Sequence, residues 1–328
     1  MPTIHINASD SIGSNGEQMR SCIAVRYERL KGSQRGGNVT GVMIAIIVVV
    51  VVLGIIVAML PTLLAKRGVT MMQTRFGLTL IFETENADGT PVRLLNVNGT
   101  FQSVSYVPED LRFELACEYH RAMADIIWEL ACERRREAQA DTSGSTPDVL
   151  RVLVMGGGGY SLPKYLATYV PNAVTDVVEI DPSMTKLARE QFFLDECLEN
   201  THAEEEGRLN LISGDAWEWL LSSTEPYDVI VNDAFSGNKP LGTMKTDEGA
   251  HVVREHLTEN GVYLANVRCK LEGRSSKVIT EVEEAFGKEF SHVWYVPEWP
   301  DDPSKPGNNA LCATDRELTL PKDAVVVR

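Results

Sequence analysis

What this chain lacks narrows its reading before any motif is considered. Its six cysteines (Cys22, Cys117, Cys132, Cys197, Cys269, Cys312) are scattered without a Cys-x-x-Cys pair. Neither a zinc site nor a disulfide framework is indicated, which fits a reducing compartment for the body. The six histidines show no metal-ligand spacing, and His251 and His256, five apart, would not share a helix face. There is no internal repeat. Charge is unevenly spread: residues 1–70 carry seven Lys/Arg against three acids, so the formal charge of −15 becomes −19 on the remainder, where acids outweigh bases. An acidic body argues against a nucleic-acid partner, whose phosphates call for clustered Lys/Arg. It suits a cationic substrate, and it equally suits plain solubility.

Charge is missing altogether from Gly41 to Leu60. Twenty helical residues span about 30 Å, the thickness of a bilayer's hydrocarbon core. A buried core helix would show a polar stripe, and a secretory signal would start nearer the N-terminus with a shorter apolar stretch. Val and Ile favour strands in water, but lipid forces backbone groups to bond within the segment, which means helix. One transmembrane helix is expected over 41–60, after a flexible tail over 1–40. The basic residues do not orient it: Arg26, Arg29, Lys31 and Arg35 precede it, and Lys66, Arg67 and Arg75 follow.

What is present begins with hairpin signals. Asp88-Gly89 and Asn98-Gly99 separate β-like runs, so a small antiparallel sheet is expected over 75–106. Leu111 to Arg136 has helical spacing, and its Arg134-Arg135-Arg136 end reads as a solvated terminus rather than a binding patch. These make a small β-rich N-terminal domain over 70–140, followed by a polar linker. From 148 to 328 strand and helix patterns alternate: strands at 149–155, 174–180, 209–213, 227–232 and 262–267, helices at 161–169, 216–221, 246–257 and 277–286, a turn at Glu259-Asn260-Gly261, and closing strands at 292–296 and 310–314. Alternation of this kind predicts an α/β fold with a mostly parallel sheet covered on both faces.

The segment Val149 to Asp181 carries the chemistry. A buried-strand run is followed by Gly156 to Gly159, a helix-like segment from Ser161, and a second strand ending in Glu179 and Asp181. Glycines let backbone approach a ligand, and the start of a helix offers free N–H groups. A carboxylate about 20 residues on can accept both ribose hydroxyls. Tight strand-to-helix turns also use glycine for steric reasons alone; Glu179 is what tips the pattern toward a nucleoside site. Glu179, Asp215 and Asp233 all fall at carboxyl ends of strands, where open α/β sheets bind ligands.

The strings Val154-Met155-Gly156-Gly157-Gly158-Gly159, Val177-Val178-Glu179-Ile180-Asp181-Pro182, Ser213-Gly214-Asp215-Ala216 and Tyr227-Asp228-Val229-Ile230-Val231-Asn232-Asp233-Ala234-Phe235, in that order, resemble the spermidine/spermine synthases, polyamine aminopropyltransferases built on the class I S-adenosylmethionine methyltransferase fold. Asn98-Gly99-Thr100-Phe101-Gln102-Ser103 is similar to the family's Asp-Gly-x-x-Gln, and Tyr119-His120 to its Tyr-His-Glu. The resemblance covers about residues 76–318 and is nearest to a membrane-attached bacterial subgroup. It implies a Rossmann-like transferase domain over 148–328 and a donor that is decarboxylated S-adenosylmethionine or S-adenosylmethionine, with no metal. It assigns Gln102, Gly156, Gly157 and Gly158 to the nucleoside, its ribose and its tail, Glu179 to the ribose diol and Asp215 to the adenine amine. Tyr119 and His120 fall on the substrate side, and Asp233 is the base that deprotonates the attacking amine.

Departures accompany the resemblance. Gly159 stands where the family's glycine motif has an aspartate, with Tyr160 next, Ser236 where a second acid follows Asp233, and Arg121 where Tyr-His has its glutamate. The lost carboxylates would cradle cationic amines, so diamine recognition is expected to be weak, and Gly159→Asp with Ser236→Asp to restore it. Arg121 or the glycine-loop amides would better tolerate the carboxylate tail of intact S-adenosylmethionine. The expected reading is a membrane-anchored spermidine synthase-like transferase with its catalytic domain in the cytoplasm; the alternatives are a methyltransferase of unknown acceptor and a non-catalytic nucleoside-binding membrane protein. The expected partners are a small-molecule amine or other acceptor and the membrane, not nucleic acid, and a homodimer is left open.

Overall fold

The structure, a computed structural model, describes residues 39–144, 148–236, 239–240 and 242–327, without the side chains of 39–41, Ser236, Lys239, Pro240 and Ser275. The tail expected over residues 1–38 lies outside the described residues. The chain divides into two compact units, Met1–Pro61 and Thr62–Arg328. Helix α1 (Val39–Ala65) extends the expected apolar stretch to 27 residues. Its side chains from Val42 to Leu63 are exposed, and Val42–Ala65 is long and apolar enough to cross a membrane. Pro61 lies inside it near the C-terminal end, where the lost amide costs one intrahelical bond.

Strands β1 (Thr70–Thr74), β2 (Gly77–Glu85), β3 (Pro91–Val97) and β4 (Thr100–Tyr106) form an antiparallel sheet in that order. The β3–β4 turn is built on Asn98 and Gly99, both at positive φ (50° and 84°), as a two-residue hairpin of this hand requires. Strand β1 carries no turn-flanked β-branched run, so its sequence does not announce it. Helix α2 (Glu118–Ala140) starts seven residues after the expected Leu111. The intervening backbone is held by side chains instead: Arg112 Nε donates to Val107 O at 3.1 Å and Arg121 Nε to Leu115 O at 2.7 Å. A β-rich N-terminal portion is therefore present, with its helix shorter at the front.

The remainder runs β5 (Leu150–Met155), α3 (Ser161–Tyr169), β6 (Ala173–Glu179), α4 (Pro182–Gln191), α5 (Leu194–Thr201), β7 (Leu209–Ser213), α6 (Ala216–Ser222), β8 (Tyr227–Asn232), short β9 (Phe235–Ser236) and β10 (Lys239–Pro240), α7 (Asp247–Glu255), β11 (Leu257–Cys269), α8 (Lys277–Glu289), β12 (His292–Val296), β13 (Gly307–Thr314) and β14 (Val325–Val326). One sheet takes the order β14-β12-β13-β11-β8-β5-β6-β7. Strands β7 to β11 along that order are parallel, and β13, β12 and β14 close it antiparallel. This is the α/β fold with a mostly parallel sheet that the alternation implied, in the Rossmann-like form that the resemblance implied.

Because both faces are covered, the central strands read as unbroken apolar runs. Val152, Val154, Val177, Val229 and Val231 pack on one side with Met123, Ile127 and Leu130 of α2 and Leu162 and Leu166 of α3. Leu153, Met155, Val178 and Ile230 pack on the other with Val253 of α7 and Val282 and Phe286 of α8. Two readings need correction. Glu259-Asn260-Gly261 does not separate a helix from a strand; it lies within β11 as a register shift between Leu257 and Val262 against β8, a bulge in a strand that continues on both sides. Helices α4 and α5 fill a stretch for which the sequence suggested no element. Asp181 caps α4 by accepting from Ser183 N at 2.9 Å, with Pro182 in its first turn, a helix-start signal that was legible.

Candidate active site

Strand register brings the chemistry together. Met155 pairs with Val178 on one side and Asn232 on the other, and Glu179 pairs with Ser213. The ladder continues one step past these ends: Gly156 N donates to Val178 O at 2.9 Å, Gly214 N to Glu179 O at 3.0 Å and Asp233 N to Met155 O at 3.0 Å. From β5 the chain proceeds to β6 and β7 on one side, and later to β8 and β11 on the other. The crevice lies at that switch point. A cavity of about 620 Å³ opens there, lined by Gln102, His120, Gly156, Gly157, Gly158, Glu179, Asp215 and Asp233. Every expected site residue except Tyr119 lines it, and Tyr119 stands against Asp233. The N-terminal sheet supplies the facing wall through Arg75, Phe76, Asn98 and Gln102.

The glycine turn is dictated by what surrounds it. Gly156 has φ of +95°, and a Cβ there would stand 2.9 Å from Asp233 O. A Cβ on Gly157 would meet the Tyr160 ring at 2.5 Å. Tyr160 is itself left-handed (φ 57°) and fully buried, and its hydroxyl shares a 2.7 Å hydrogen bond with Thr185 Oγ1. Burial pushes its phenol up to about 12, so it stays neutral. The ring therefore props the turn from beneath, in a conformation that ordinarily selects glycine.

Two of the turn's amides are taken by Glu179. Gly157 N and Gly158 N donate to Glu179 Oε2 at 2.8 and 3.2 Å, and Asp181 N donates to Oε1 at 2.9 Å. A buried carboxylate takes the nearest donors because an unpaired charge there is costly. Three of its four lone-pair positions are used, and one stays open to a hydroxyl. Asp215 caps α6 through Oδ1, which accepts from Trp217 N at 2.9 Å and Glu218 N at 3.4 Å, while its side chain remains exposed at the cavity. Asp181, the other half of the acidic pair, has a structural task. Its Oδ2 accepts from Arg75 N at 2.7 Å and so ties the β1–β2 hairpin to α4.

Asp233 is bonded as heavily as Glu179. Its Oδ2 accepts from Tyr119 Oη at 3.1 Å and faces His120 Nε2 at 2.9 Å, and its Oδ1 accepts from Asn266 Nδ2 at 2.9 Å. Tyr119 and His120 sit in the first turn of α2, their rings 4.0 Å apart. Burial and the neighbouring Asp233 push the Tyr119 phenol well above its ordinary range, which keeps it a donor. Sequence reasoning missed Asn266. Its signal was an amide in the middle of Val262-Tyr263-Leu264-Ala265-Asn266-Val267, an apolar run in which a buried polar group needs a partner. Asn266 in turn leads to Asn308 at 3.5 Å, and Asn308 to Glu298 Oε2.

The departures sit in a crowded setting. A Cβ at Gly159 would stand 2.4 Å from Ser103 Oγ and 3.2 Å from the Phe192 ring, so a side chain there requires Ser103 to move. Arg121 does not reach the cavity: it bonds Leu115 O, Glu118 Oε1 and Tyr106 Oη. Among the described lining residues the arginine is Arg75. The side chain of Ser236 lies outside the described residues.

Residues 142–303 match the model of the spermine/spermidine synthase domain. Over these residues the chain is similar to the spermidine synthase family. It is 32% identical over 143 residues to a probable polyamine aminopropyl transferase of Bifidobacterium longum, covering 44% of this chain and 28% of that protein. It is 32% identical over 123 residues to the polyamine aminopropyltransferase of Vibrio vulnificus, covering 37% and 38%. It is also 30% identical over 185 residues to the human eEF1A lysine and N-terminal methyltransferase, covering 52% and 24%. The matches thus span between about a quarter and two fifths of the length of these relatives. In fold it is similar to a probable spermidine synthase from Corynebacterium glutamicum (TM-score 0.55, 24% identity, 76% of this chain and 81% of that one). It is likewise similar to a spermidine synthase in complex with the transition state analogue AdoDATO (TM-score 0.50, 17% identity, 76% and 74%).

Proposed function

We propose that this protein is a membrane-anchored, spermidine synthase-like transferase that moves an aminopropyl group from decarboxylated S-adenosylmethionine to an amine. The observation that carries the reading is Asp233, held by Tyr119, His120 and Asn266 and sharing one cavity with the glycine turn and Glu179. On this reading Glu179 receives the ribose hydroxyls, Asp215 the adenine amine, and Gln102 closes the nucleoside from the facing sheet. An ammonium has no lone pair, so the acceptor must lose a proton before it attacks carbon beside a sulfonium, and the Asp233 cluster is where that proton goes. The acceptor side is poor in charge. Beyond Glu179 and Asp215, Asp233 is the one carboxylate among the described lining residues, so an acceptor with a single amine, or a larger one, suits the cavity better than a short diamine.

A second reading, methyl transfer from S-adenosylmethionine, is favoured by the match to the human lysine and N-terminal methyltransferase over half of this chain. Both readings end in an amine nucleophile. The deciding experiment incubates the full chain in detergent micelles with each donor and a panel of mono-, di- and polyamines, and follows products by mass spectrometry. Aminopropylated product from the decarboxylated donor is expected, with putrescine a poor acceptor. Methylated product alone hands the site to the second reading.

A further inference from the structure

We propose that the outward face of the β1–β4 sheet docks on a lipid bilayer, the same one that α1 enters. The inference rests on the proposed anchoring of the chain by α1, and it is independent of which group the enzyme transfers.

The argument starts from an alternation that is missing. An antiparallel sheet with one face on a core and the other in water alternates apolar with polar residues. Successive residues of a strand point to opposite faces, and the register aligns them across the sheet. On one face Ile81 and Leu95 are buried in the hydrophobic core. The opposite face should therefore be polar, and it is not. Phe82, Leu94 and Val104 form one cross-strand row there, and Leu80, Asn96 and Phe101 the next, with Leu78 two residues before Leu80. Phe82 and Phe101 meet edge to face, their centroids 6.4 Å apart. Phe101 is 59% exposed and Leu78 45%. Among the described residues, none of these apolar side chains belongs to either hydrophobic core or packs against one. Asn96, the polar member, is satisfied within the hairpin, its Oδ1 accepting from Gly99 N at 2.9 Å. The charged residues of the four strands, Glu83, Glu85 and Arg93, all alternate onto the opposite face. An uncharged apolar face on a body of formal charge −19 calls for a partner.

The position of the sheet in the chain says which partner. Four residues, 66–69, separate the end of α1 from Thr70 at the start of β1, so five Cα–Cα steps of at most about 3.6 Å hold that strand within about 18 Å of the helix end. The link is shorter than that limit, because Gly68 N donates to Ala65 O and Val69 N to Leu64 O, both at 3.0 Å, with Gly68 at φ of +74°. Lys66 and Arg67 in the link are exposed and suit the headgroup level. The apolar surface of α1 thus continues, after one basic step, into the apolar face of the sheet. A second copy of the chain fits this face less well, since a stable interface takes about 20–30 residues a side. A tethered contact with lipid needs far less, because α1 already supplies the affinity and the face only sets the orientation. Net charge opposes an anionic surface, so the contact is made by apolar side chains. The turns of the same sheet, through Arg75, Phe76, Asn98 and Gln102, wall the cavity, and docking would hold that wall beside the bilayer.

The test reconstitutes the full chain into phosphatidylcholine vesicles with the photoreactive p-benzoylphenylalanine in place of Phe101, of Leu78 or, as a control, of Val326, which is 57% exposed on the edge strand β14 of the large sheet. Exposed positions take the added ring with little change in stability, and an unchanged thermal midpoint verifies folding. After flotation and irradiation, lipid adducts identified by mass spectrometry are expected at positions 101 and 78 and not at 326. Phe101→Asp should cut the adduct yield from position 78 roughly tenfold, the loss of one buried aromatic anchor, while the chain still floats. A floated chain that gives no lipid adduct at 101 and 78, an equal yield at 326, a cross-linked dimer through 101 instead of lipid, or a yield at 78 indifferent to Phe101→Asp overturns the inference and leaves the anchoring intact. A chain that does not float with the vesicles overturns the anchoring and the inference together. No donor or amine enters the readout, so the proposed transfer stands or falls separately.

Discussion

At the scale of single residues, the tightest constraint in the cavity is the exchange between Glu179 and the glycine turn. Glu179 accepts from Gly157, Gly158 and Asp181 amides, so it shapes the turn as well as facing the ligand. Glu179→Gln replaces an acceptor oxygen with a donor that confronts those N–H groups. The loss of a charged hydrogen-bond partner costs about 1.5–3 kcal/mol, so affinity for 5′-methylthioadenosine and S-adenosylhomocysteine is expected to fall roughly ten- to a hundredfold by calorimetry. Full retained affinity would remove Glu179 from the nucleoside site. At Gly159 the expectation reverses that of the family resemblance. Because Ser103 and Phe192 occupy the space a side chain needs, Gly159→Asp is expected to destabilise by about 1–3 kcal/mol, as overpacking does. A lower thermal midpoint and no gain in putrescine transfer would show it; a rise in diamine activity at unchanged stability would show that the wall yields.

At the scale of elements, the central strands of the large sheet were legible because both-face burial writes itself into apolar runs such as Val152-Leu153-Val154 and Val229-Ile230-Val231. The acids at their ends were legible as punctuation. The partners that hold those acids were not. Asn266 belongs to β11 and meets Asp233 across a sequence gap of 33 residues, a distance at which only the fold sets proximity. Lys164 was equally silent. It lies on α3 at 1% exposure, where its amine donates to Ser105 Oγ of β4 at 3.3 Å and to Phe192 O, joining the N-terminal sheet to the Rossmann-like sheet. Burial draws its pKa from 10.5 down to about 7. Between those values the unfolded chain holds a proton that the folded chain does not, so stability rises with pH through that window and the burial penalty is complete below it. The thermal midpoint of the full chain is therefore expected to gain several degrees between pH 7 and 10 relative to Lys164→Met. Parallel pH profiles of the two proteins would place the Lys164 charge elsewhere.

At the scale of the whole molecule, an acidic body and an uncharged helix impose different solvents on one chain. The formal charge of −15 leaves −19 on residues 71–328, which keeps that portion in water and off an anionic surface. Helix α1 exposes Val, Ile, Leu and Met side chains from Val42 to Leu63, an apolar surface that only lipid or an apolar partner can accept. Its apolar stretch of 24 residues at 1.5 Å per residue exceeds a core of about 30 Å, long enough to cross one with some tilt. The full chain is expected to remain in the membrane pellet after alkaline carbonate extraction. A chain beginning at Thr70 should move to the supernatant with its affinity for 5′-methylthioadenosine intact, because the glycine turn, Glu179, Asp215 and the facing hairpin all lie beyond that point. On the proposed function, supply rather than charge gives the expected side of the membrane. Lys66, Arg67 and Arg75 after the helix nearly balance Arg26, Arg29, Lys31 and Arg35 before it, whereas S-adenosyl donors are made in the cytoplasm. Protease added to intact cells is thus expected to spare the body and to cleave it only after permeabilisation; removal of the body from intact cells would reverse the orientation and cut the site off from its donor.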